Sequence, residues 1–492
     1  MGHSFEMIAA DAVVRFKRLR GLDTYFLGGL DENSQRVSRE AEALGMDPMA
    51  YVDKAAERYQ EVWRSVDVMF DGFVRTTADQ HHASVKEFYA RVMASGDVYE
   101  GAYEGWYCVQ CEAFYTDDEL VDGVCSVHAT KPEWLAERNY FFRLSKYQEA
   151  IENLYETQPE FVLPVTRRNE MLGIIREGLR DFSISRASAS WGIPLPNDPD
   201  QKIYVWFDAL INYITGVGFG QEDRSGEFPR WWPADVHVIG KDIVRFHAIY
   251  WPAMLMSAGL PLPRQVVVHG WVGFEGAPMS QSAGHLVRPA DVIDRHGSDA
   301  LRYFLLREIP FDRDGDFKWD NMRRRYRDDL GNDLGNLVLR ATSMIGRYFD
   351  GVAPMPGQPG EMESELRAAA ETAWNLAQGH FESWRLHLAL AATFDFVTAV
   401  NRYIDRTKPW QLAKDDSNQE RLATVLGTVL EAIRHIAIQI EPVMPRTSKK
   451  ILASLGFPPA APGMWGGGDW TGLQAGHVVP GGPALFPRLE ST

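Results

Sequence analysis

Apolar residues Ala9, Ala12, Val13, Phe16 and Leu19 recur at helical spacing and stop at Gly21, which predicts a helix over 9–20. A short apolar run at 24–27 closes on Gly28-Gly29 and reads as a strand entering a turn. Charged, helix-periodic segments follow at 38–44, 48–66 and 81–95. Alternating strands and helices predict an α/β domain with a parallel sheet. The stretch 162–184 is helical in part. Strand-like runs then return at 203–207, 236–239 and 265–268. Two of them lead straight into Asp208 and Gly240, as strands that feed ligand loops do. From 289 onward the period is almost wholly helical, at 300–307, 322–345, 368–378, 388–404 and 420–440, which predicts a bundle. The Gly- and Pro-rich tail from Phe457 has little period. Residues 99–134 differ from all of this. They are turn-rich and aromatic, and they read as an insertion that splits the α/β domain.

A chain of 492 residues with 45% hydrophobic content exceeds one core, so two to four domains are expected. The net charge of −16 gives no global pull toward nucleic acid. Arg323, Arg324, Arg325 and Arg327 form one local basic cluster, for which a solvated helix face is the simpler reading. No run of about 18 apolar residues is present, so no membrane span is expected. The opening Met-Gly-His-Ser-Phe-Glu lacks the pattern of a secretory leader, and a cytoplasmic location is the expectation.

All three cysteines fall in the inserted stretch. Cys108-x-x-Cys111 is followed by Cys125-x-x-His128. Two thiolates two residues apart grip one ion from a tight knuckle, and a second pair completes a tetrahedron. Cys108, Cys111, Cys125 and His128 therefore predict a Cys₃His structural Zn²⁺ site, against the alternative of buried thiols and a surface histidine.

A series of strings then occurs in a characteristic order. It comprises Glu104-Gly-Trp-Tyr-Cys108, Tyr140-Phe-Phe-Arg-Leu-Ser-Lys-Tyr147, Arg167-Arg-Asn-Glu170, Ser183-Ile-Ser-Arg186 and Trp191-Gly-Ile-Pro194. Further on come Tyr204-Val-Trp-Phe-Asp-Ala209, Ile239-Gly-Lys-Asp-Ile243, Phe246-His-Ala-Ile-Tyr-Trp-Pro252, Asp299-Ala-Leu-Arg-Tyr-Phe304, Asn332-Asp-Leu-Gly-Asn336 and Lys408-Pro-Trp410. From about residue 3 to the tail, the chain resembles the methionyl-tRNA synthetases, which are class I aminoacyl-tRNA synthetases. The resemblance implies a Rossmann-type catalytic domain in two halves, 1–97 and 187–275. The connective insertion would span 98–186, with its zinc knuckle at about 104–135. A signature loop and stem would occupy 276–345, and an α-helical anticodon-binding domain with the tail would occupy 346–492.

The implied reaction is ATP-dependent activation of methionine, with Mg²⁺, followed by transfer of the methionyl group to tRNA. By the same resemblance, Trp206, Ala209, Tyr213, Phe246, His247 and Trp251 line the methionine side chain. Aromatic walls suit a thioether, although each residue alone reads equally well as core. Leu210 stands where the family often has other residues. Asp31 matches the carboxylate for the substrate's amino group. Gly240 and Asp242 match the adenosine-binding turn. Asn336, Arg340 and Trp410 match the anticodon readers, where a stacked ring and a guanidinium suit unpaired bases. The implied assembly is a monomer or a homodimer.

The resemblance breaks at the two ATP signatures. Gly2 and His3 match the end of the first, and neither its first histidine nor the preceding central strand is present in this sequence. Pro278-Met279-Ser280-Gln281-Ser282 matches the second, leaving Met279, Ser280 and Ser282 but replacing both lysines by Pro278 and Gln281. Loss of one preorganised donor at such a site costs about 10²–10³ in rate. The Asp31 loop also departs from the family, with Asn33-Ser34 in place of a His-Gly pair. Three functions stay open: a methionine–tRNA ligase with a weakened lysine loop, a paralogue acylating a small acceptor with methionine or another amino acid, and a tRNA-binding pseudo-enzyme.

Overall fold

The Gly28-Gly29 pair, read from sequence as a turn, lies inside a strand. A computed structural model describes residues 1–109, 113–115, 117, 120–125, 130–277, 279, 285–466 and 470–488. In it Leu27–Leu30 pairs in parallel with Gly72–Arg75, placing Gly28 opposite Phe73 and Gly29 opposite Val74. A Cβ on Gly28 would lie 2.4 Å from the Phe70 ring, and one on Gly29 would lie 2.8 Å from the Val74 carbonyl oxygen. The glycines are there for close approach within the sheet, and periodicity carries no signal of that contact.

The described chain divides into two units. One comprises Tyr25–Glu61 and Phe70–His269, and the other comprises Met1–Thr24, Val62–Met69 and Gly270–Thr492. The first unit carries two of the parallel sheets, and a short parallel pair, Val272–Phe274 with Gly315–Phe317, lies in the other. Besides the Leu27–Leu30 pair, His237–Gly240, Val266–His269 and Val162–Leu163 form a parallel three-stranded sheet with Val266–His269 in the middle. All four residues of that middle strand are buried, as expected of a parallel strand covered on both faces.

The run 203–207, expected as a strand, is one only to Ile203. The strand Asp198–Ile203 gives way at Tyr204 to the helix Val205–Thr215. Val205, Phe207, Ala209, Leu210, Ile211 and Ile214 are all buried in this helix. A helix buried nearly all round cannot be told from a buried strand by period. The inserted stretch is more regular than its turn-rich sequence suggests. Val98–Cys108 and Glu133–Phe142 form a long antiparallel pair running from Val98↔Phe142 to Tyr107↔Glu133.

The second unit is mainly helical. Glu361–Glu382, Leu386–Thr407, Gln419–Ile440 and Pro445–Ser454 build the bundle. The expected helix at 322–345 is instead three pieces: Trp319–Arg325, a π-helical stretch Tyr326–Gly335, and Asn336–Tyr348. Asp416–Ile440 is long and apolar enough to cross a membrane by composition, but 89% of its apolar window is buried, so it serves as a core helix. The first helix, Gly2–Leu19, belongs to this unit. Its Phe16 stacks on Phe381 at 4.8 Å and meets the edge of Trp465 at 4.7 Å, so the tail, which has little sequence period, is packed through an aromatic anchor.

Arg302, fully buried on the helix Ser298–Glu308, bonds four acceptors in three distant segments of this unit. Its Nη2 donates to Asp11 Oδ2 at 2.6 Å and to the Pro442 carbonyl at 3.0 Å. Nη1 donates to the Val66 carbonyl at 2.9 Å, and Nε donates to the Val443 carbonyl at 2.7 Å. Breaking a buried pair from one side strands the other charge, at a cost of about 3–5 kcal/mol. Arg302→Met is therefore expected to destabilise the helical unit by about that amount. A denaturant melt followed by tryptophan fluorescence checks this, and an unshifted midpoint contradicts it.

Candidate functional site

In the α/β unit, the residues expected to line the amino-acid side chain come from one helix, one irregular turn and the start of the helix that follows it. Trp206, Ala209 and Tyr213 lie on the helix Val205–Thr215. Phe246 and His247 lie in a π-helical turn, Phe246–Tyr250, which runs into the helix Trp251–Ser257. A π turn widens the helix by one residue, and such turns recur at functional sites. Here it brings the Phe246 ring flat against Trp206, with centroids 4.1 Å apart and planes 6° apart.

Tyr213 makes the polar contact of this wall. Its hydroxyl lies 2.7 Å from His247 Nε2, and His247 Nδ1 lies 3.0 Å from the Ile243 carbonyl oxygen. A carbonyl only accepts, so Nδ1 carries a hydrogen and Nε2 faces the Tyr213 hydroxyl. Behind Tyr213 sits His237, with ring centroids 4.1 Å apart. Trp251 is completely buried and donates its indole N–H to His237 Nε2 at 3.2 Å. Trp251 thus supports the wall from the core, with its ring 6.4 Å from Tyr213. Burial, with His247 adding to it, pushes the His237 pKa down to about 3.

Asp31 follows the strand Leu27–Leu30 and is exposed, while Glu32, Asn33 and Ser34 are buried. The loop is anchored through Glu32. Its N–H donates to Thr76 Oγ1 at 2.8 Å, its carbonyl accepts the Trp191 indole N–H at 2.7 Å, and its carboxylate pairs with Arg75 at 2.8 Å. At the ends of the neighbouring parallel strands, Gly240 pairs with His269. A Cβ on Gly240 would meet Asp242 Oδ1 at 2.7 Å, so the glycine lets the Asp242 carboxylate fold over the strand end. The carboxyl ends of parallel strands are where such sheets bind ligands. Sequence reasoning passed over the buried pair His81–Asp208 and the Trp191 indole. Trp191 and Asp208 lie inside quoted strings, but periodicity could not give them these partners.

In the helical unit, Gly2 opens the first helix and His3 is exposed in its first turn. Met279 is half-buried, whereas Pro278, Ser280, Gln281 and Ser282 lie outside the described residues. Asn336 and Arg340 stand one turn apart on the helix Asn336–Tyr348. Arg340 bonds Asp405 at 3.2 Å, and its guanidinium lies 5.9 Å from the centre of the Trp410 ring, which is 38% exposed. The structure therefore brings Arg340 and Trp410 together at an accessible surface. The arginines at 323–327 are ion-paired: Arg323 with Asp320, Arg324 with Glu308, Arg325 with Glu308 and Asp329, and Arg327 with Asp328.

Of the zinc ligands read from sequence, Cys108 and Cys125 are buried at strand ends, and Cys111 and His128 lie outside the described residues. Among the described residues, no three of His, Cys, Asp and Glu group in a way that could hold a metal ion.

Comparison with known proteins bears on the whole chain. The family described as tRNA synthetases class I (M) matches residues 1–126 and 117–342, and the anticodon binding domain of methionyl tRNA ligase matches 353–491. A methionine–tRNA ligase of Caldanaerobacter subterraneus subsp. tengcongensis is 45% identical over 490 residues, covering 100% of this chain and 76% of that protein. One from Streptomyces coelicolor is 42% identical over 511 residues, covering 100% of this chain and 94% of that protein. The crystal structure of Mycobacterium tuberculosis methionyl-tRNA synthetase bound by methionyl-adenylate superposes with a TM-score of 0.94 at 40% identity. That match covers 99% of this chain and 96% of the other.

His237 generates a pH prediction for the α/β unit. The unfolded imidazole takes up a proton near pH 6.5, whereas the folded one resists until about 3. The stability this contributes is complete above about pH 6.5 and is lost as pH falls toward 3, at up to about 1.4 kcal/mol per pH unit. His237→Gln keeps an acceptor for Trp251 without titrating. Thermal melts across this range are expected to show a shallower acid slope in the variant, and equal slopes would contradict the assignment.

Proposed function

The chain belongs to the methionyl-tRNA synthetases, class I aminoacyl-tRNA ligases, and on that footing we propose that it activates methionine with ATP and passes the methionyl group to tRNA in the cytoplasm. The observation that carries this reading is the Trp206–Phe246 stack beside the Tyr213–His247 bond, a polarizable apolar wall with one polar point. Such a wall suits a thioether, since sulfur–ring contacts are favourable by about 0.3–1.5 kcal/mol. Asp31 holds the substrate's ammonium, which leaves its carboxylate to attack the α-phosphate of ATP. Asp242, folded over Gly240, accepts from the ribose hydroxyls. Gly2 and His3 present the positive end of the first helix to phosphate. Met279, Ser280 and Ser282 form the remnant of the second phosphate-binding signature. Mg²⁺ offsets phosphate charge when bound. Pyrophosphate leaves, and the terminal ribose hydroxyl of tRNA then takes the methionyl group and releases AMP. Trp410 stacks an anticodon base while Arg340 and Asn336 donate to base edges.

Pro278 and Gln281 offer no cation to the transition state. The adenylation step is accordingly slow, because donors fixed before the reaction supply much of its electrostatic stabilisation. Amino-acid-dependent ATP–pyrophosphate exchange, screened with all twenty amino acids, tests the reading. Methionine is expected to support exchange, and its failure to do so would overturn the proposal. Restoring both lysines, Pro278→Lys with Gln281→Lys, is expected to raise the exchange rate by about 10²-fold.

We also propose that Cys108, Cys111, Cys125 and His128 hold one structural Zn²⁺. Two buried thiols at the ends of Val98–Cys108 and Val124–Cys125 suit this role, and the Cys125 N–H donates to the Thr130 carbonyl at 2.9 Å. Four protein ligands close the ion's coordination shell, so it stabilises the insertion and takes no part in the chemistry. Elemental analysis is expected to find about one zinc per chain, lost in Cys125→Ser. A metal-free chain with unchanged folding would overturn this assignment.

A further inference from the structure

Asp208 is a completely buried carboxylate on the helix that carries Trp206, Ala209 and Tyr213. A buried carboxylate requires donors on both oxygens. His81 Nε2 faces Oδ1 at 2.5 Å, and the other ring nitrogen of His81 lies 3.0 Å from Thr215 Oγ1 on the same helix. The donor to Oδ2 is the Asn33 side-chain amide, at 2.7 Å. The same nitrogen donates to the Thr76 carbonyl at 3.0 Å, so both of its hydrogens are used.

Asn33 lies two residues beyond Asp31, in the loop whose other anchors run through Glu32 to Thr76, Arg75 and Trp191. Those anchors hold the loop to the strand Gly72–Arg75 and to Trp191. The Asn33–Asp208 bond carries it across to the helix that builds the aromatic wall. We propose that Asn33 is a positioning residue for the amino-acid pocket, fixing the loop that carries Asp31 in register with the helix that carries Trp206, Ala209 and Tyr213. This rests on reading that pocket as the methionine site. The residue type matters, because a neutral imidazole has a single N–H to share between Thr76 and Asp208, whereas the amide has two. Asn33 therefore satisfies the carboxylate and the strand together.

The test compares Asn33→Ala, Asn33→His and Asp208→Asn in ATP–pyrophosphate exchange, with methionine binding measured separately by calorimetry and folding by thermal melts. Asn33→Ala is expected to raise the KM and Kd for methionine about 10-fold, as loss of one hydrogen bond to a charged group does, while the KM for ATP stays within about 2-fold. Asn33→His, left with one N–H for two acceptors, is expected to recover only part of the methionine affinity. Asn33→Ala combined with Asp208→Asn is expected to cost less than the product of the two single effects, because one interaction is removed twice. A lowered melting midpoint with unchanged methionine affinity would assign Asn33 to folding alone and overturn the proposal. An equal rise in both KM values would overturn it too. If the unaltered chain binds methionine without exchange, calorimetry decides. If it does neither, the reading of the pocket fails and this proposal fails with it.

Discussion

A guanidinium with no access to water needs protein acceptors for its N–H groups, and in the helical unit Arg302 places four of its five by drawing three remote segments together. Asp11 lies on the first helix, Val66 on a short excursion of the chain, and Pro442 and Val443 after the longest apolar helix. Neighbouring residues of the same string add to the effect. Asp299 accepts the Thr447 N–H at the start of the next helix, and the Tyr303 hydroxyl donates to Asp329 at 2.6 Å. The run from Asp299 to Phe304 is thus a structural knot. Burial of its charges is tolerable because partners from remote parts of the chain meet them there.

In the α/β unit, two kinds of irregular backbone do the positioning. Glycines at strand positions let aromatic rings and a carboxylate approach the sheet, as Phe70 does at Gly28 and Asp242 does at Gly240. The π turn at Phe246–Tyr250 swings Phe246 onto Trp206 and His247 toward Tyr213. Asn336 likewise follows directly on a π-helical stretch, Tyr326–Gly335. Such local departures from regular helix cost stability, and neighbouring packing has to hold them in place.

The structure holds the Trp206–Phe246 stack and the Arg340–Trp410 contact, while the sequence has Pro278 and Gln281 where the resemblance implies lysines. Binding walls and charge-stabilising donors contribute differently to a reaction. The first lower the free energy of bound substrate and transition state alike, and only groups matched to the developing charge raise the rate of the step.

The sequence by itself determined the family, the presence of an α/β part and a helical part, and the identities of Trp206, Phe246, Asp31, Arg340 and Trp410 as residues to watch. Ordered strings are linear information, and so is the helical period of an amphipathic face. It did not determine that 204–207 turns from strand to helix, because a segment buried all round has no polar face to set a period. Nor did it show that Gly28-Gly29 is sheet, that the first helix groups with residues 270–492, or that Asn33 and His81 share one carboxylate. Those outcomes depend on contacts between residues dozens to hundreds of positions apart. Only the folded chain brings such partners within hydrogen-bonding distance, and only there does the desolvation of Asp208 or Arg302 dictate which partners are required.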